Sequence, residues 1–389
     1  MSTKRILAFT GIRSDYDLMS LIYKEMNNRH SFEIGLIVSG AHLSEEYGYT
    51  IKEIEKDGIP IVSKIESLIN SNSKSSRLLS LAILLQNVIH DVKRFEPDAI
   101  IIVGDREEVM VGSLIGSYLR IPVIHFFGGD HASDGNVDNL VRHAASKLAN
   151  IHFVINDQFK KRLIKMGEEP FRIFNFGSPA LDKFNSTVYM TKDDVLRNLK
   201  CENFKNYVVV IFHPILGEEK EAGKYFNEIL EVLKNKKIKA FVSYPNVDAG
   251  NKNIIDEIEK NIEDKNFFFY KNLDRTLFIN LLRNCDFLIG NSSLGLFEAP
   301  LIRKGVVNVG NRQKGRMSSG NVIFVDQGIK NIEAGIDKVK SSDFKQSLQN
   351  MQLMYGDGHS VKKIVDCIES MDLESYLIKD KDPLEMEEY

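Results

Sequence analysis

Acidic and basic side chains crowd residues 125–143, which read HFFGGDHASDGNVDNLVRH. Asp130 follows two glycines, and Asp138 and Arg142 come shortly after it. Adjacent glycines let a backbone approach a ligand closely, and carboxylates in such a loop can take up or deliver protons. Asp138 and Arg142 are four residues apart and would share one face of a helix. The stretch therefore predicts acid–base chemistry; a solvated loop with a surface ion pair is the simpler alternative.

Two more polar clusters precede this stretch. Asp105 follows the apolar run AIIIVG, where catalytic carboxylates collect, although alone it is more typical of a helix cap. Arg13 stands just before a helical pattern, where it could bind a phosphate together with the helix N-terminus. An ordinary cap by Ser14 or Asp15 is an equally good interpretation of that segment.

Similar clusters recur in the second half of the chain. His213 follows the apolar run VVVIF and can act as an acid, as a base or as a hydrogen-bond donor to a phosphate. A lone histidine is nevertheless usually structural. Ser292 and Ser293, in GNSSLGLFEAP, predict an anion cradle of hydroxyls and backbone amides. Glu298, one turn into the helix expected there, could accept hydrogen bonds from ribose hydroxyls, and Arg312 could reach the same ligand.

The elements that must position these residues alternate along the chain. Continuous apolar runs separated by helical patterns predict parallel sheets covered on both faces. We therefore expect an α/β protein with two doubly wound, Rossmann-like domains, 1–186 and 187–376, and a charged tail over 377–389 that we expect to be disordered. Because ligands bind at the carboxyl ends of such strands, the cleft between the halves is the predicted site.

Composition excludes several classes of protein. The 389 residues carry a formal net charge of −3 and no dense basic block, which argues against a nucleic-acid partner. The three cysteines lie far apart and form no CxxC pair, so neither a zinc site nor a disulfide framework is indicated, and a reducing cytoplasm fits. No signal peptide or membrane span is apparent. The phosphate loops of dinucleotide-binding proteins and P-loop NTPases are missing as well.

Eight strings, in this order, carry a resemblance to a known family: TGIRSDYDL, VGDREEV, HFFGGD, NVDNLVRHAASKLA, FHP, YPNVDAG, GNSSLGLFEAP and VNVGNRQKGR. Together they resemble the UDP-N-acetylglucosamine 2-epimerase family over nearly the whole chain. The resemblance implies the two-domain GT-B fold, no cofactor and no metal, and a homodimer or tetramer.

Within that family, the GGD, NVDNLVRH and YPNVDAG segments are similar to the hydrolysing branch. That branch releases UDP and a free 2-epimeric sugar, N-acetylmannosamine, for sialic-acid-type biosynthesis. Phe127 stands near the place where the non-hydrolysing branch carries a glutamate. Together with Phe126 it suggests a more apolar pocket, so the alternative substrate is a UDP-2,4-diacetamido-2,4,6-trideoxy sugar.

The resemblance also implies a mechanism and assigns residues to it. UDP and the C2 proton leave to form a 2-acetamidoglucal, to which water then adds. Asp105 and Asp130 are expected to act in elimination and Asp138 in hydration, while His213 and Arg13 hold the diphosphate. The expected contacts to UDP or the sugar are completed by Arg142, Asn246, Ser292, Ser293, Glu298 and Arg312.

Three other functions remain open at this point. A non-hydrolysing epimerase would keep UDP on its product. A GT-B glycosyltransferase would need an acceptor, and its chemistry does not require the acids around residues 130–138. A nucleotide-sugar sensor would need the Ser-Ser-Glu segment but no catalytic acids.

Overall fold

The computed structural model describes residues 3–71, 73, 75–131, 137–215, 217–246 and 249–385. The chain divides into two compact units. The first unit comprises Met1–Lys183 and Tyr355–Tyr389, and the second unit comprises Phe184–Met354. Each unit contains one parallel sheet with helices, which confirms the predicted α/β class with two doubly wound, Rossmann-like units of the GT-B type.

The sheet of the first unit has seven parallel strands in the order β3-β2-β1-β4-β5-β6-β7. Their bounds are β1 Lys4–Thr10, β2 Phe32–Ser39, β3 Ile61–Ile65, β4 Ala99–Val103, β5 Val123–Phe126, β6 Ile151–Val154 and β7 Ile173–Asn175. Ile6 and Ala8 pack into one core cluster, whereas Leu7 and Phe9 pack into another. Because successive side chains of a strand point to opposite faces, this sheet is buried on both sides.

The sheet of the second unit repeats this plan with six strands in the order β10-β9-β8-β11-β12-β13. Their bounds are β8 Tyr207–Ile211, β9 Lys239–Ser243, β10 Phe267–Tyr270, β11 Leu288–Gly290, β12 Val306–Val309 and β13 Val322–Val325. β8 and β11 come so close that a Cβ on Gly290 would lie 2.0 Å from the carbonyl oxygen of Ile211. Gly290 also has a φ of +139°, so only glycine fits at this strand end.

The α-helices are α1 Arg13–Asn27, α2 Ile51–Lys56, α3 Ser76–Phe95, α4 Glu107–Leu119, α5 Val137–Leu148, α6 Asp157–Lys165, α7 Asp182–Asn185, α8 Lys192–Asn198, α9 Ala222–Asn235, α10 Asn251–Lys260, α11 Arg275–Asn284, α12 Leu294–Phe297, α13 Ile329–Lys340, α14 Ser342–Gln349 and α15 Ser360–Ser370. No described helix combines the length and the apolar character that a bilayer span needs.

The chain returns to the first unit at Tyr355, which corrects the predicted assignment of residues 355–376 to the second domain. The Asp182 carboxylate accepts hydrogen bonds from the backbone N–H groups of Ser360 and Val361, at 2.9 and 2.8 Å, and so caps α15. Arg29, which follows α1, pairs with Asp366 of α15 at 2.7 Å. Alternation of strands and helices does not reveal which sheet a terminal helix covers, so the sequence pattern missed this return.

The segment after α15 also packs on the first unit. Arg172, only 2% exposed, donates to the carbonyl oxygens of Tyr376, at 2.7 Å, and Ile378. Lys379 pairs with the buried carboxylate of Glu168 at 2.6 Å. Residues 377–379 are therefore held in place, which corrects the expectation that the whole tail is disordered.

Candidate active site

Asp105 and Arg142 form an ion pair at the carboxyl edge of the first sheet. Asp105 lies in the turn between β4 and α4, and Arg142 lies on α5. The two side chains are 22% and 10% exposed, and the Nη2 of Arg142 donates to Oδ2 of Asp105. The Nη1 of Arg142 donates to the carbonyl oxygen of Asp130, at 3.2 Å, and to Oδ1 of Asn139, at 3.1 Å. One guanidinium therefore holds the loops that follow two neighbouring strands.

The glycine pair before Asp130 serves packing within the protein itself. Gly129 has a φ of +78°, and a Cβ there would lie 2.5 Å from the carbonyl oxygen of Phe159 on α6. Arg162, on the same helix, donates to the carbonyl oxygen of Gly129. The Asp130 carboxylate accepts a hydrogen bond from the N–H of His131 at 2.8 Å. The loop is thus pressed onto α6, and its contact with Arg142 is made by the backbone carbonyl of Asp130.

Asp138 has a different partner from the one its spacing indicates. Arg77, at the start of α3, donates to Asp138 at 3.2 Å and to Glu107. Arg142 pairs with Asp105, so the surface ion pair between Asp138 and Arg142 is replaced by two pairs with residues distant in sequence. Sequence reasoning missed Arg77 and Glu107, because no local spacing connects them to Asp138.

A cavity of about 130 Å³ lies at the carboxyl ends of β1, β2, β3 and β4. The residues that line it are Gly11, Ile12, Gly40, Ala41, Ser67, Leu68, Ile69, Arg77, Ser80, Arg106, Glu107 and Glu108. The strand order reverses between β1 and β4, and ligands of open α/β sheets bind at such a switch point. The cavity combines apolar walls with two arginines and two glutamates, which suits a polar ligand that also has apolar groups.

Two acids near this cavity have raised pKa values. Burial raises the pKa of Glu108, whose Oε1 accepts a hydrogen bond from Ser39 at 3.0 Å. Burial, together with the nearby Glu108 carboxyl, raises the pKa of Asp15 to about 7. A Cβ on Gly11 would lie 1.9 Å from Glu108 Oε1, so this glycine makes room for the acid. No spacing in the sequence indicates that the Glu108 carboxyl is buried.

Among the described contacts, none joins Arg13 to the cavity acids or to the Asp105–Arg142 pair. Its side chain is 67% exposed and its Nε pairs with Glu53 at 3.1 Å. Ile12 precedes α1 in an extended conformation and no side chain caps the helix, so the alternative of a cap by Ser14 or Asp15 is wrong. The guanidinium is therefore exposed to solvent and bound to Glu53 on α2.

The two phenylalanines before the glycine pair do not form the expected apolar pocket. Phe126 is 1% exposed and stacks on Phe153 with ring centroids 4.9 Å apart. Phe127, with a φ of +63°, packs against the same core cluster. Phe126 is therefore a core residue, and apolar contact with a ligand has to come from other side chains.

In the second unit, His213 follows β8 and is fixed by asparagines. The side chain of Asn291 accepts from the N–H of His213 and donates to its carbonyl oxygen, both at 2.8 Å. The N–H of Asn246 donates to Nδ1 of His213 at 3.2 Å. Since Nδ1 accepts, Nε2 carries the ring proton in the neutral form and is the atom that can donate to a phosphate. Asn291 is a positioning group that its place after a strand could have indicated.

The serine-rich loop lies next to this histidine. Arg312 and Gln313 both donate to the carbonyl oxygen of Asn291, at 3.3 and 3.0 Å, so Arg312 is held beside Ser292 and Ser293. The helix expected after the serines, α12, has only four residues. Glu298 follows that helix rather than lying within it. An anion here would be bound by hydroxyls, loop amides and Arg312 more than by a helix terminus.

The acidic and basic side chains described above follow strands in both units. The sequence as a whole matches the model of one protein family. The model of the family described as UDP-N-acetylglucosamine 2-epimerase matches residues 24–369. The chain belongs to that family. Among the described residues, no group of three or more His, Cys, Asp or Glu side chains is arranged to hold a metal ion.

Two relatives of the epimerase family match almost end to end. One is the UDP-N,N'-diacetylbacillosamine 2-epimerase (hydrolyzing) of Legionella pneumophila, 31% identical over 96% of this chain and 98% of that protein. The other is the GDP/UDP-N,N'-diacetylbacillosamine 2-epimerase (hydrolyzing) of Campylobacter jejuni, 31% identical over 97% and 99%.

A solved structure supports the same fold. The UDP-GlcNAc 2-epimerase from Neisseria meningitidis bound to UDP-GlcNAc superposes with a TM-score of 0.74 at 17% identity. The match covers 94% of this chain and 99% of that one. At this level of identity the comparison shows the shared epimerase fold.

Proposed function

We propose that the protein is a hydrolysing 2-epimerase that converts a UDP-2-acetamido sugar into UDP and the free sugar inverted at C2. The observation that carries this proposal is the Asp105–Arg142 pair, with the backbone carbonyl of Asp130 bound to the same arginine and Asp138 on the same helix. A protein that only binds a nucleotide sugar has no need of three carboxylates at adjacent strand ends. The full-length relatives named as hydrolysing enzymes support the same reaction.

The chemistry explains why acids are needed. The C2 proton of an N-acetyl sugar is weakly acidic, but it becomes more acidic once the C1–O bond to UDP begins to break. Asp105 and Asp130 stabilise the developing oxocarbenium ion and take the C2 proton, which leaves a 2-acetamidoglucal. Asp138 then directs water onto C1 while a proton returns to the opposite face of C2. Arg142 holds the Asp105 carboxylate in one direction.

The groups that would hold UDP come mainly from the second unit. His213 presents Nε2–H to a phosphate oxygen, because Asn246 occupies its Nδ1. Arg312, Ser292 and Ser293 offer further donors, and Glu298 accepts from the ribose hydroxyls. Asn246 then serves to orient His213, and the exposed Arg13 of the first unit adds positive charge for the diphosphate.

For the sugar, we propose a UDP-2,4-diacetamido-2,4,6-trideoxy substrate. Both relatives that match end to end are named for N,N'-diacetylbacillosamine. The cavity beside Arg77 has Ile12, Ala41, Leu68 and Ile69 in its walls, and such side chains favour a methyl and an acetamido group over two hydroxyls. UDP-N-acetylglucosamine is the second candidate, since the matching family model is described by that substrate.

The direct test compares the two nucleotide sugars without any acceptor. Purified protein is incubated with each, UDP is measured by chromatography and the free sugar is identified by NMR. We expect UDP release from both, with a kcat/KM at least about 10-fold higher for the diacetamido sugar, the scale on which small apolar groups discriminate. If UDP-N-acetylglucosamine had the higher kcat/KM, the substrate assignment would be wrong, whereas the proposed hydrolysing epimerisation would still hold.

Other outcomes of this test point to other functions. A C2-epimerised nucleotide sugar without free UDP means a non-hydrolysing epimerase. UDP release only in the presence of an acceptor means a glycosyltransferase. Binding without turnover of either sugar means a sensor, and each of these results would overturn the proposed reaction.

A further inference from the structure

His125 is a fully buried imidazole beneath the candidate active site. It lies in β5, is 0% exposed, and has a partner at each ring nitrogen. Its Nε2 lies 2.9 Å from the carbonyl oxygen of Gly104, and its Nδ1 lies 3.1 Å from Oγ of Ser146. Gly104 directly precedes Asp105, and Ser146 lies one helical turn after Arg142. The imidazole thus connects the two segments that carry the ion pair.

The partners determine the tautomer of this ring. A carbonyl oxygen can only accept, so Nε2 of His125 must donate to Gly104. Burial is the main cause that lowers the pKa of His125 to about 3; the Gly104 carbonyl opposes this shift, and His152 on β6 and His143 on α5 contribute to it. The ring is therefore neutral, and Nδ1 accepts from the Ser146 hydroxyl. The same hydroxyl also lies 2.9 Å from the carbonyl oxygen of Arg142, so its single hydrogen is shared between two acceptors, the imidazole and the helix backbone.

A third segment of the site packs on the same ring. A Cβ on Gly128 would lie 3.0 Å from Nδ1 of His125 and 3.0 Å from Oγ of Ser146. Gly128 belongs to the loop that carries Asp130, whose carbonyl oxygen accepts from Arg142. His125 therefore touches the Asp105 turn, the Asp130 loop and the Arg142 helix at once.

We propose that His125 is a positioning residue for the elimination step: its Nε2–H holds the Gly104 carbonyl so that the Asp105 carboxylate stays aligned with Arg142. This inference rests on the proposed epimerase function, because it assigns Asp105 to the reaction. The ring touches no substrate, and its effect reaches the reacting atoms through Gly104 and Asp105. Misplacing a catalytic carboxylate by about 1 Å can cost about 100-fold in rate.

Two substitutions of His125 test the hydrogen bonds of its two ring nitrogens one at a time. His125→Gln places an N–H donor near the position of Nε2 and keeps the bond to Gly104. His125→Asn places its amide near Nδ1 and loses that bond. Both shrink a buried ring, so a purely structural role predicts similar losses in both variants. We expect H125N to lower kcat by about 10-fold or more with KM changed less than about 3-fold, and H125Q to keep kcat within about 3-fold of the wild type.

A double-mutant cycle with Arg142→Lys tests the route of the effect. If His125 acts through the Asp105–Arg142 alignment, H125N lowers kcat much less in the R142K background than in the wild type. Additive losses in kcat, or equal losses in H125N and H125Q that follow their melting temperatures, would overturn the positioning role.

A spectroscopic measurement is independent of catalysis. Nitrogen NMR of the histidine-labelled protein, with the His125 signal identified by its absence in H125Q, should show a neutral Nε2–H ring from pH 5 to 9. An Nδ1–H tautomer or a protonated ring would contradict the geometry. If the wild-type enzyme releases no UDP, the proposed function fails, whereas this measurement still decides whether His125 holds Gly104.

Discussion

The guanidinium of Arg142 donates to the carboxylate of Asp105 although the two residues are 37 positions apart in the chain. The pair is largely withdrawn from water, with Arg142 10% exposed and Asp105 22% exposed. A charge pair in such a place is costly to desolvate and stabilises the fold weakly, so its presence points to function more than to stability. The same arginine binds the Asp130 carbonyl, which connects two acidic loops through one side chain.

The first prediction concerns the Asp105 carboxylate. Asp105→Asn keeps the shape and a hydrogen-bond acceptor but removes the base, so we expect kcat to fall about 100-fold or more, the usual scale for positioned proton transfer. Turnover of the diacetamido sugar is measured by UDP release, and UDP affinity by calorimetry. Asp91→Asn is the matched control, because Asp91 pairs only with Arg94 on the surface of α3 among the described contacts. Wild-type turnover in D105N would remove Asp105 from the mechanism.

The second prediction concerns Arg77, which bridges Glu107 and Asp138. Its side chain is 44% exposed, so Arg77→Ala should cost less than about 1 kcal/mol of stability. Because Asp138 loses its partner, we expect kcat to fall about 10-fold. Arg94→Ala, on the same helix, is the control and should leave kcat unchanged. If R77A lowered the melting temperature strongly and left kcat intact, Arg77 would be structural.

The third prediction concerns pH and Asp15. Its folded pKa is raised from 3.8 to about 7, chiefly by burial, so the folded state binds this proton more tightly than the unfolded state does. The resulting stabilisation is complete below pH 3.8 and is lost as pH rises through about 7. We expect Asp15→Asn, which mimics the protonated acid, to melt higher than the wild type at pH 8 and to show a smaller decline in melting temperature between pH 5 and 8. If the melting temperatures of the two proteins changed equally with pH, Asp15 would ionise at its ordinary pKa.

The fourth prediction concerns the end of the chain. A chain that ends at Leu373 loses the carbonyl acceptors of Arg172 and Asn150 and the Lys379 partner of Glu168. Because these groups are buried, we expect a loss of about 3 kcal/mol, seen as a fall of roughly 6–12 °C in melting temperature. A chain that ends at Lys379 keeps all three contacts and should melt like the full-length protein. Equal melting of the two shortened chains would mean that residues 374–379 do not stabilise the first unit.

Most of the strands could be predicted because they are buried on both faces. The apolar runs AIIIVG and VVVIF, for example, lie almost entirely within the strands Ala99–Val103 and Tyr207–Ile211. The strand Ile61–Ile65 was missed because it lies at the sheet edge and only Ile65 is buried. The helix Ser76–Phe95 was missed for a related reason. Its buried positions recur every four residues, but two of them are serines, so the apolar pattern is weak.

The location of the site residues could be predicted better than their contacts. Asp105, Asp130 and His213 lie at carboxyl ends of strands, where parallel topology places them. The helical spacing of Asp138 and Arg142 predicted a local ion pair, yet each binds a residue from a different element. Such pairings depend on how loops close over the sheet, and no single sequence shows that. For the same reason, the sequence does not show that His125 and Glu108 are buried.

The measurement that tests the proposed reaction most directly is the reaction run in deuterium oxide. Elimination removes the C2 proton and rehydration returns one from solvent, so the released sugar must carry one deuterium at C2, as the loss of the C2–H signal in proton NMR would show. D91N should label its product in the same way, and D105N should release neither UDP nor labelled sugar at a comparable rate. Free sugar that retains its original hydrogen at C2 would contradict elimination and, with it, the role assigned to the carboxylates of the first unit.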